Sequence, residues 1–489
     1  MNKKLIMLIL SLVFVVTSAI AAQGATRTVD NNSDNGALTA CTAAANDCSL
    51  RGAISGAASG DTIDFDGVVF ASAQTITLGG TSNPIIISRN LIIIGSGADK
   101  LTVSGNNANL VFDVRNFTVG LSGMTITGGN GTQFLNVSPA PGGGILNSGT
   151  LTISDCVITG NQTAPNLSYG GAIYNNSGTL TIIGTTISNN VARSPGFSNG
   201  GGISSQSGTL IVTNSTISGN TVNSTAGGNG GGIHIFSGNL IVTNCTISNN
   251  TVNTTNSSAG GIMIGSGTAT IRNSIVAANV SNGTYPDVFG TFSLTNGGNN
   301  LIGNVGTATG FAQTGDRTGT AVSPLNPLLG ALTITNGGKT PTHAPLTGSP
   351  AANNGNSCVL TNTCTLPVST GALVSDQRGA GFPRQFGLTN IDIGAVESDL
   401  LSPSAANVSV SGKVFTPQGS GLTNAIVILT DQDGNSRTAR TTSFGYFRFN
   451  EVEVGQTYVI NVSSKRWQFK PQVISVNEEI TELNLTANE

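Results

Sequence analysis

Acid–base and metal chemistry needs carboxylates, imidazoles or thiols brought close together. This chain of 489 residues has 23 Asp and Glu, two His and six Cys to do it with. They are unevenly spread: from residue 116 to 286 the only charged side chains are Asp155, Arg193 and Arg272. Glycoside hydrolysis takes two carboxyl groups about 5–10 Å apart, and lyase chemistry takes a base beside acids that gather calcium. Asp113, Asp155 and Asp287 are the acids from which such a set could be drawn, and nothing in their spacing brings them together. His234 and His343 are too few for a multi-His zinc site. No catalytic residue, metal ligand or cofactor is assigned on these grounds.

The cysteines divide by position. Cys41 and Cys48 lie close together, as do Cys358 and Cys364, and each pair flanks an irregular stretch; both are expected to be bridged. Cys156 and Cys245 occupy one column of a repeat, three units apart. That is about 14 Å at strand spacing, beyond disulfide reach. They read as small buried thiols filling core slots.

The element that must position any site is that repeat. Asn161, Asn190, Asn220, Asn250 and Asn279 recur at near-constant spacing, as do Ile145, Ile173, Ile203, Ile233 and Ile262. A fixed period of this size signals stacked units. Within a unit apolar residues alternate, as Leu240, Val242 and Ile247 do, so the units are strands. Three short strands per unit make one triangular coil, and stacked coils make a right-handed parallel β-helix. The Asn column is expected at a corner as an inward ladder, each amide bonding the next coil. Charged residues are 9% of the chain, against roughly 25% in ordinary domains. The net charge of −3 makes no electrostatic case for nucleic acid. The 66 glycines show no collagen period, and the glycine runs lack the Asp that a calcium-binding nonapeptide repeat carries.

The ends carry their own signals. Lys3 and Lys4, the apolar run from Leu5 to Val16 and Ala19-Ile20-Ala21 form a secretory signal over 1–21, with no later apolar run of membrane-spanning length. Cys48-Ser49-Leu50-Arg51-Gly52-Ala53-Ile54 begins a short amphipathic helix, and Gly60-Asp61-Thr62-Ile63-Asp64-Phe65 reads as the first strand. These residues resemble the CSLREA motif at the start of secreted bacterial β-helix proteins, with Gly52 where that motif has Glu. Asn299-Asn300-Leu301-Ile302-Gly303, Asn326-Pro327-Leu328-Leu329-Gly330, Asp376-Gln377-Arg378-Gly379 and Asp392-Ile393-Gly394-Ala395-Val396-Glu397, in that order, are similar to the C-terminal part of the choice-of-anchor Q family. That resemblance spans roughly residues 40–397 and implies an exported β-helix attached to surfaces. Asp376, Arg378, Asp392 and Glu397 are expected to form a charge-paired end cap.

Beyond a linker at 400–407 the composition shifts: residues 400–489 carry 7 Lys/Arg and 8 Asp/Glu. Short alternating strands there predict a small transthyretin/Ig-like β-sandwich over 408–489. Gly412-Lys413-Val414, Ala425-Ile426-Val427 and Thr442–Phe449 look like a carboxypeptidase regulatory-like domain, which implies an accessory module. The whole chain is thus expected to be all-β, a β-helix over 22–399 with an N-terminal cap helix and an irregular C-terminal cap, then the sandwich.

Function is expected at the surface. The corners after each closing Asn vary, and Tyr169, Arg193 and Phe197 fall there. The residues after each first Ile, including Tyr174 and His234, form a column expected to face outward. Aromatics on an uncharged polar face suit sugar stacking. Tyr169, Tyr174, Arg193, Phe197 and His234 are therefore the candidate ligand contacts, and a polysaccharide or cell-envelope glycan is the partner they imply. Outward Thr152, Thr181 and Thr270 sketch an ordered-water array that Ile211 and Ile241 interrupt. The reading is an exported, secreted or cell-surface, non-catalytic protein that contacts glycans. The alternative is a polysaccharide lyase or hydrolase of the same fold.

Overall fold

The computed structural model describes residues 24–80, 83–131, 142–163, 168–254, 257–282, 287–293, 297–364, 370–386, 390–398, 408–431, 434–452, 456–476 and 479–488. The expected signal peptide and the linker lie outside the described residues.

The alternating apolar residues fold as expected into a parallel β-solenoid. Face 1 holds eight strands, among them Ile145–Asn147, Ile173–Asn175, Ile203–Ser205, Ile233–Ile235 and Ile262–Ile264. Face 2 holds nine five- and four-residue strands such as Thr209–Thr213 and Asn239–Thr243, and face 3 ten short ones such as Thr216–Ser218 and Thr246–Ser248. The register is strict. Ile203 pairs with Ile233 and Ile233 with Ile262 on face 1, and Leu210 with Leu240 on face 2. Each of these Ile side chains is fully buried, and each such burial is worth about 1.5–3 kcal/mol.

The expected ladder is present. Asn161 donates through Nδ2 to Asn190 Oδ1, Asn190 to Asn220, Asn220 to Asn250 and Asn250 to Asn279, each at 2.9 Å. A second ladder runs through the cysteine column. Cys156 N donates to Thr185 Oγ1, Thr185 N to Ser215 Oγ and Cys245 N to Ser274 Oγ in the next coil, and the side chains of Thr185, Ser215, Cys245 and Ser274 each donate to the carbonyl two residues earlier. Cys156 and Cys245 are free and buried, and burial pushes both thiols up to about 12. The two sequence-adjacent pairs, Cys41–Cys48 and Cys358–Cys364, are bridged.

Three expectations need correcting, two of them in the strands. Thr62–Phe65 is not the first strand, because Thr26–Val29 precedes it and pairs with it in parallel. The coils are also not simply triangular. After the Asn corner come two further strands, in stacks of four (Val191–Ser194, Thr221–Ser224, Thr251–Asn253, Val280–Ser281) and three (Ser168–Tyr169, Phe197–Asn199, Gly227–Asn229). Together they form an arm with its own small core of Ala192, Val222 and Val252. The arm returns to face 1 through Gly170, Gly200 and Gly230, all at positive φ. A Cβ at Gly230 would meet Ile233 O at 2.2 Å, so only glycine makes this turn.

The N-terminal end is closed by helix α1, Leu50–Gly56, capped by Ser49, whose side chain accepts from Gly52 N. Leu50, Ala53 and Ile54 face the core. Gly52 is required here, because a Cβ would lie 1.9 Å from Leu38 O. At the other end Phe292 and Phe311 pack ring to ring against the core.

The segment from about 325 to 398 is not an end cap. It lies along the flank of face 3 and bonds its outward polar side chains across several coils. Gln377 Nε2 donates to Thr186 Oγ1 while Thr216 Oγ1 donates to Gln377 Oε1. His343 Nε2 meets Ser218 Oγ at 2.8 Å, and Ala395 N donates to Thr246 Oγ1.

The C-terminal unit is a β-sandwich of a three-stranded and a four-stranded sheet. Val410, Val427, Leu429, Phe447, Phe449 and Ile460 form its core. Two of its strands, Ser436–Arg440 and Gln472–Val476, escape the sequence reading.

Candidate functional site

The three acids of the long middle sit in three different places. Asp113 is on the outer side of face 1, in register with Leu146, and is paired to Arg115 at 3.0 Å. Asp155 occupies the corner between faces 2 and 3 and is paired to Lys339 at 2.5 Å. Asp287 is 3% exposed and ends the Asn ladder. Its Oδ1 accepts from both Asn279 N and Nδ2, and its Oδ2 accepts from Asn304 N. The second ladder also ends in an acid: Ser274 N donates to Asn300 Oδ1, and Asn300 N and Nδ2 both donate to Asp316 Oδ1. The physical reason is shared. The last rung must accept from the coil above and has no regular coil below to donate to. A carboxylate brings no N–H that would be left unpaired. Burial raises both carboxyls, that of Asp287 to about 6.

Asp376, Asp392 and Glu397 do come together, beside Arg378 and Arg384. Arg378 pairs with Asp376 at 2.7 Å, so the expected charge pairing is present although the segment is not an end cap. Asp392 and Glu397 are joined otherwise, Asp392 N donating to Glu397 Oε2 and Glu397 N to Asp376 Oδ2. Arg384, which the sequence reading misses, is fully buried and donates to Gly394 O, Ala395 O and Asn214 Oδ1. The three acids are at most 3% exposed, so this cluster presents no groove to a substrate. Burial, then the Asp392 charge, pushes the Glu397 carboxyl up to about 8. The network bonds the flank segment to the solenoid.

The proposed ligand contacts split in two. Tyr169, half-buried, Arg193, exposed, and Phe197, 52% exposed, lie on the arm strands. Tyr174 and His234 do not face solvent and are each 3% exposed. They point away from the main core, as their register predicts, and at Tyr174 the arm strand Ser168–Tyr169 folds back over that side. The Tyr169 ring stacks on Tyr174 with centroids 5.5 Å apart. Burial pushes the Tyr174 phenol up to about 12 and the His234 imidazole down to about 4. His234 Nδ1 lies 3.4 Å from Ser204 Oγ. Asp113 and His234 share one column but stand four strand steps apart, about 19 Å at strand spacing, and cannot act as a dyad. His343 is likewise buried, its Nδ1 meeting Gly330 O at 2.7 Å. Among the described residues no group of His, Cys, Asp and Glu is arranged to hold a metal ion.

Phe236, 54% exposed, also escapes the sequence reading. It follows the face 1 strand Ile233–Ile235 at the end away from the arm. The exposed aromatics therefore stand on either side of a closed floor rather than on it.

Residues 409–487 match the carboxypeptidase regulatory-like domain family, in agreement with the sandwich. No curated protein matches the chain.

Proposed function

We propose that the chain is an exported, cell-surface or secreted protein that contacts glycans without transforming them, through the outer side of the solenoid arm. The observation that carries this reading is the arm itself. It is a stack of short strands in register, with its own apolar core, that holds Phe197, Arg193 and Tyr169 at the surface. An aromatic face and a guanidinium on rigid strands suit a sugar ring and its hydroxyls, and rigidity lowers the ordering cost of binding. Seven acids are committed elsewhere: two end ladders, two form isolated ion pairs, and three are buried within the flank segment. The two disulfides suit an oxidising compartment, and no helix among the described residues is long and apolar enough to cross a membrane. The test is a glycan array and insoluble-polysaccharide pull-down with the full chain, beside Phe197→Ala and Arg193→Ala. Binding without product, reduced about tenfold in each variant with an unchanged melting curve, is the expected result. Release of unsaturated or reducing sugars would overturn the reading, as would undiminished binding by both variants.

A further inference from the structure

Helix α1 leaves a gap in the solenoid. In later coils a face 1 strand precedes each face 2 strand; in the first coil α1 stands in that place, ahead of Thr62–Phe65. The strand Ile85–Ile87 is therefore the edge of face 1. A helix cannot complete a strand ladder. Ile85 N donates to Val111 O and Ile87 O accepts from Arg115 N, both toward the neighbouring coil. By the alternation of a parallel ladder, the N–H and C=O of Ile86 point the other way, into the gap.

The gap is a cavity of about 290 Å³ between α1 and that edge. Its apolar wall is Ile54, 4% exposed, Ile85, 1%, and Ile86, 39%. Ser55 and Ser88 supply hydroxyls at its lining. Two guanidiniums border it. Arg51 is committed: it pairs with Asp34 at 2.7 Å and donates to Pro84 O and Asn83 O. Arg89 donates through Nη1 to Ala57 O, and among the described residues no carboxylate lies within ion-pair distance of it. The lining thus carries one positive charge without a counter-charge, beside a free backbone amide and an exposed isoleucine.

We propose that this cavity binds a small carboxylate-bearing sugar, a uronate of one or two rings. Arg89 takes the carboxylate, since a guanidinium fork matches it in geometry as well as charge. The Ile86 amide and the two serines take hydroxyls, and the Ile86 side chain takes the apolar face of the ring. The volume stands at the small end of ligand pockets, roughly 300 Å³ upward, which fits such a ligand. An extended peptide is disfavoured. Strand addition needs a row of free edge groups, and Arg51 already occupies the carbonyls of residues 83 and 84, leaving one residue's worth. The site is separate from the arm, so variants here leave arm binding unchanged and the two proposals fail independently.

The experiment is calorimetric titration of the full chain with glucuronate, galacturonate and their disaccharides, and with the corresponding methyl esters. Uronate binding that weakens with salt, with esters at least tenfold weaker, is expected. Arg89→Ala lowers the affinity about 10- to 100-fold, the range for a lost charged hydrogen bond, and Arg89→Lys recovers part of it. Ile86→Trp, which fills the cavity from an exposed position, abolishes binding with an unchanged melting curve; it keeps the test decisive if Arg89→Ala disturbs the cap. Equal binding of acids and esters overturns the proposal, as does no uronate binding at millimolar concentration. So does tighter binding of sulfate or of a peptide carboxy-terminus, or an Ile86→Trp variant that binds as well as the parent.

Discussion

Replacing Asn220 by alanine tests whether the interior ladder, rather than the apolar columns alone, holds the coils in register. Asn220 Nδ2 donates to Ile187 O and Asn250 Oδ1, both at 2.9 Å. Its Oδ1 accepts from Asn190 N at 3.1 Å and Asn190 Nδ2 at 2.9 Å. Alanine removes all four. Asn190 Nδ2 keeps Ile158 O and Ser188 O, but the Asn190 backbone N–H loses its acceptor in a site with no exposure. A buried donor left unpaired costs about 1–3 kcal/mol, and each of the other three lost bonds about 1 kcal/mol net; the sum is about 4–6 kcal/mol. Asn223, exposed on the arm, is the control, and its alanine variant is expected within about 0.5 kcal/mol of the parent. A solenoid opens locally, so denaturant unfolding is read together with hydrogen exchange over the coils holding Asn190 and Asn220. Faster exchange there and less-than-additive loss in an Asn190→Ala/Asn220→Ala double variant mark a coupled ladder. If Asn220→Ala costs no more than Asn223→Ala, or the double variant is additive, the ladder does not act as a unit.

Two further outcomes follow from the flank segment and from the cap helix. Glu397 is raised from its ordinary 4.5 to about 8, so the stability it contributes is fully present below pH 4.5 and is lost as pH rises through about 8. The unfolding midpoint should fall across that window, by as much as about 5 kcal/mol equivalent, and Glu397→Gln should remove most of the slope; a Gln variant with the parent's slope would refute the assignment. In the cap helix, Gly52→Ala places a methyl 1.9 Å from Leu38 O and should cost about 1–3 kcal/mol as overpacking does, with limited proteolysis opening first near residues 35–57. An alanine variant as stable and protease-resistant as the parent would show that the 35–39 loop yields freely.

The sequence makes the three faces, the Asn ladder and the cap helix legible because each rests on a periodic column. Ile203, Ile233 and Ile262 can be counted directly along the chain. The arm is less visible. Its core is built of Ala192, Val222 and Val252, single apolar residues set among Thr, Asn and Ser, and a column one residue wide reads as a variable corner. The outward placement of Tyr174 and His234 is right in register and wrong in exposure. Period two tells which side of a strand a residue takes, not what lies over that side. The flank segment is the least legible of all. Its backbone has no period, and its partners are hydroxyls such as Thr186, Thr216 and Ser218, which look in sequence like ordinary solvent-facing positions.

The ladders also decide how the scarce acids are to be read. In a middle with so few charges, each acid invites a catalytic role, and a carboxyl raised by burial, as that of Asp287 is, strengthens the invitation. The donor count removes it. Every rung that is Asn both accepts and donates, so a ladder of amides cannot end in an amide without leaving an N–H buried and unpaired. Asp287 and Asp316 each stand at a final rung, and each accepts two bonds on one oxygen from the preceding Asn. Their burial, and with it their raised affinity for a proton, is a consequence of closing the stack. Chemistry directed outward must then come from groups the stack does not consume. Phe197 and Arg193 on the arm, Phe236 beside face 1 and the half-buried Arg89 behind α1 are described residues that reach the surface from a rigid support.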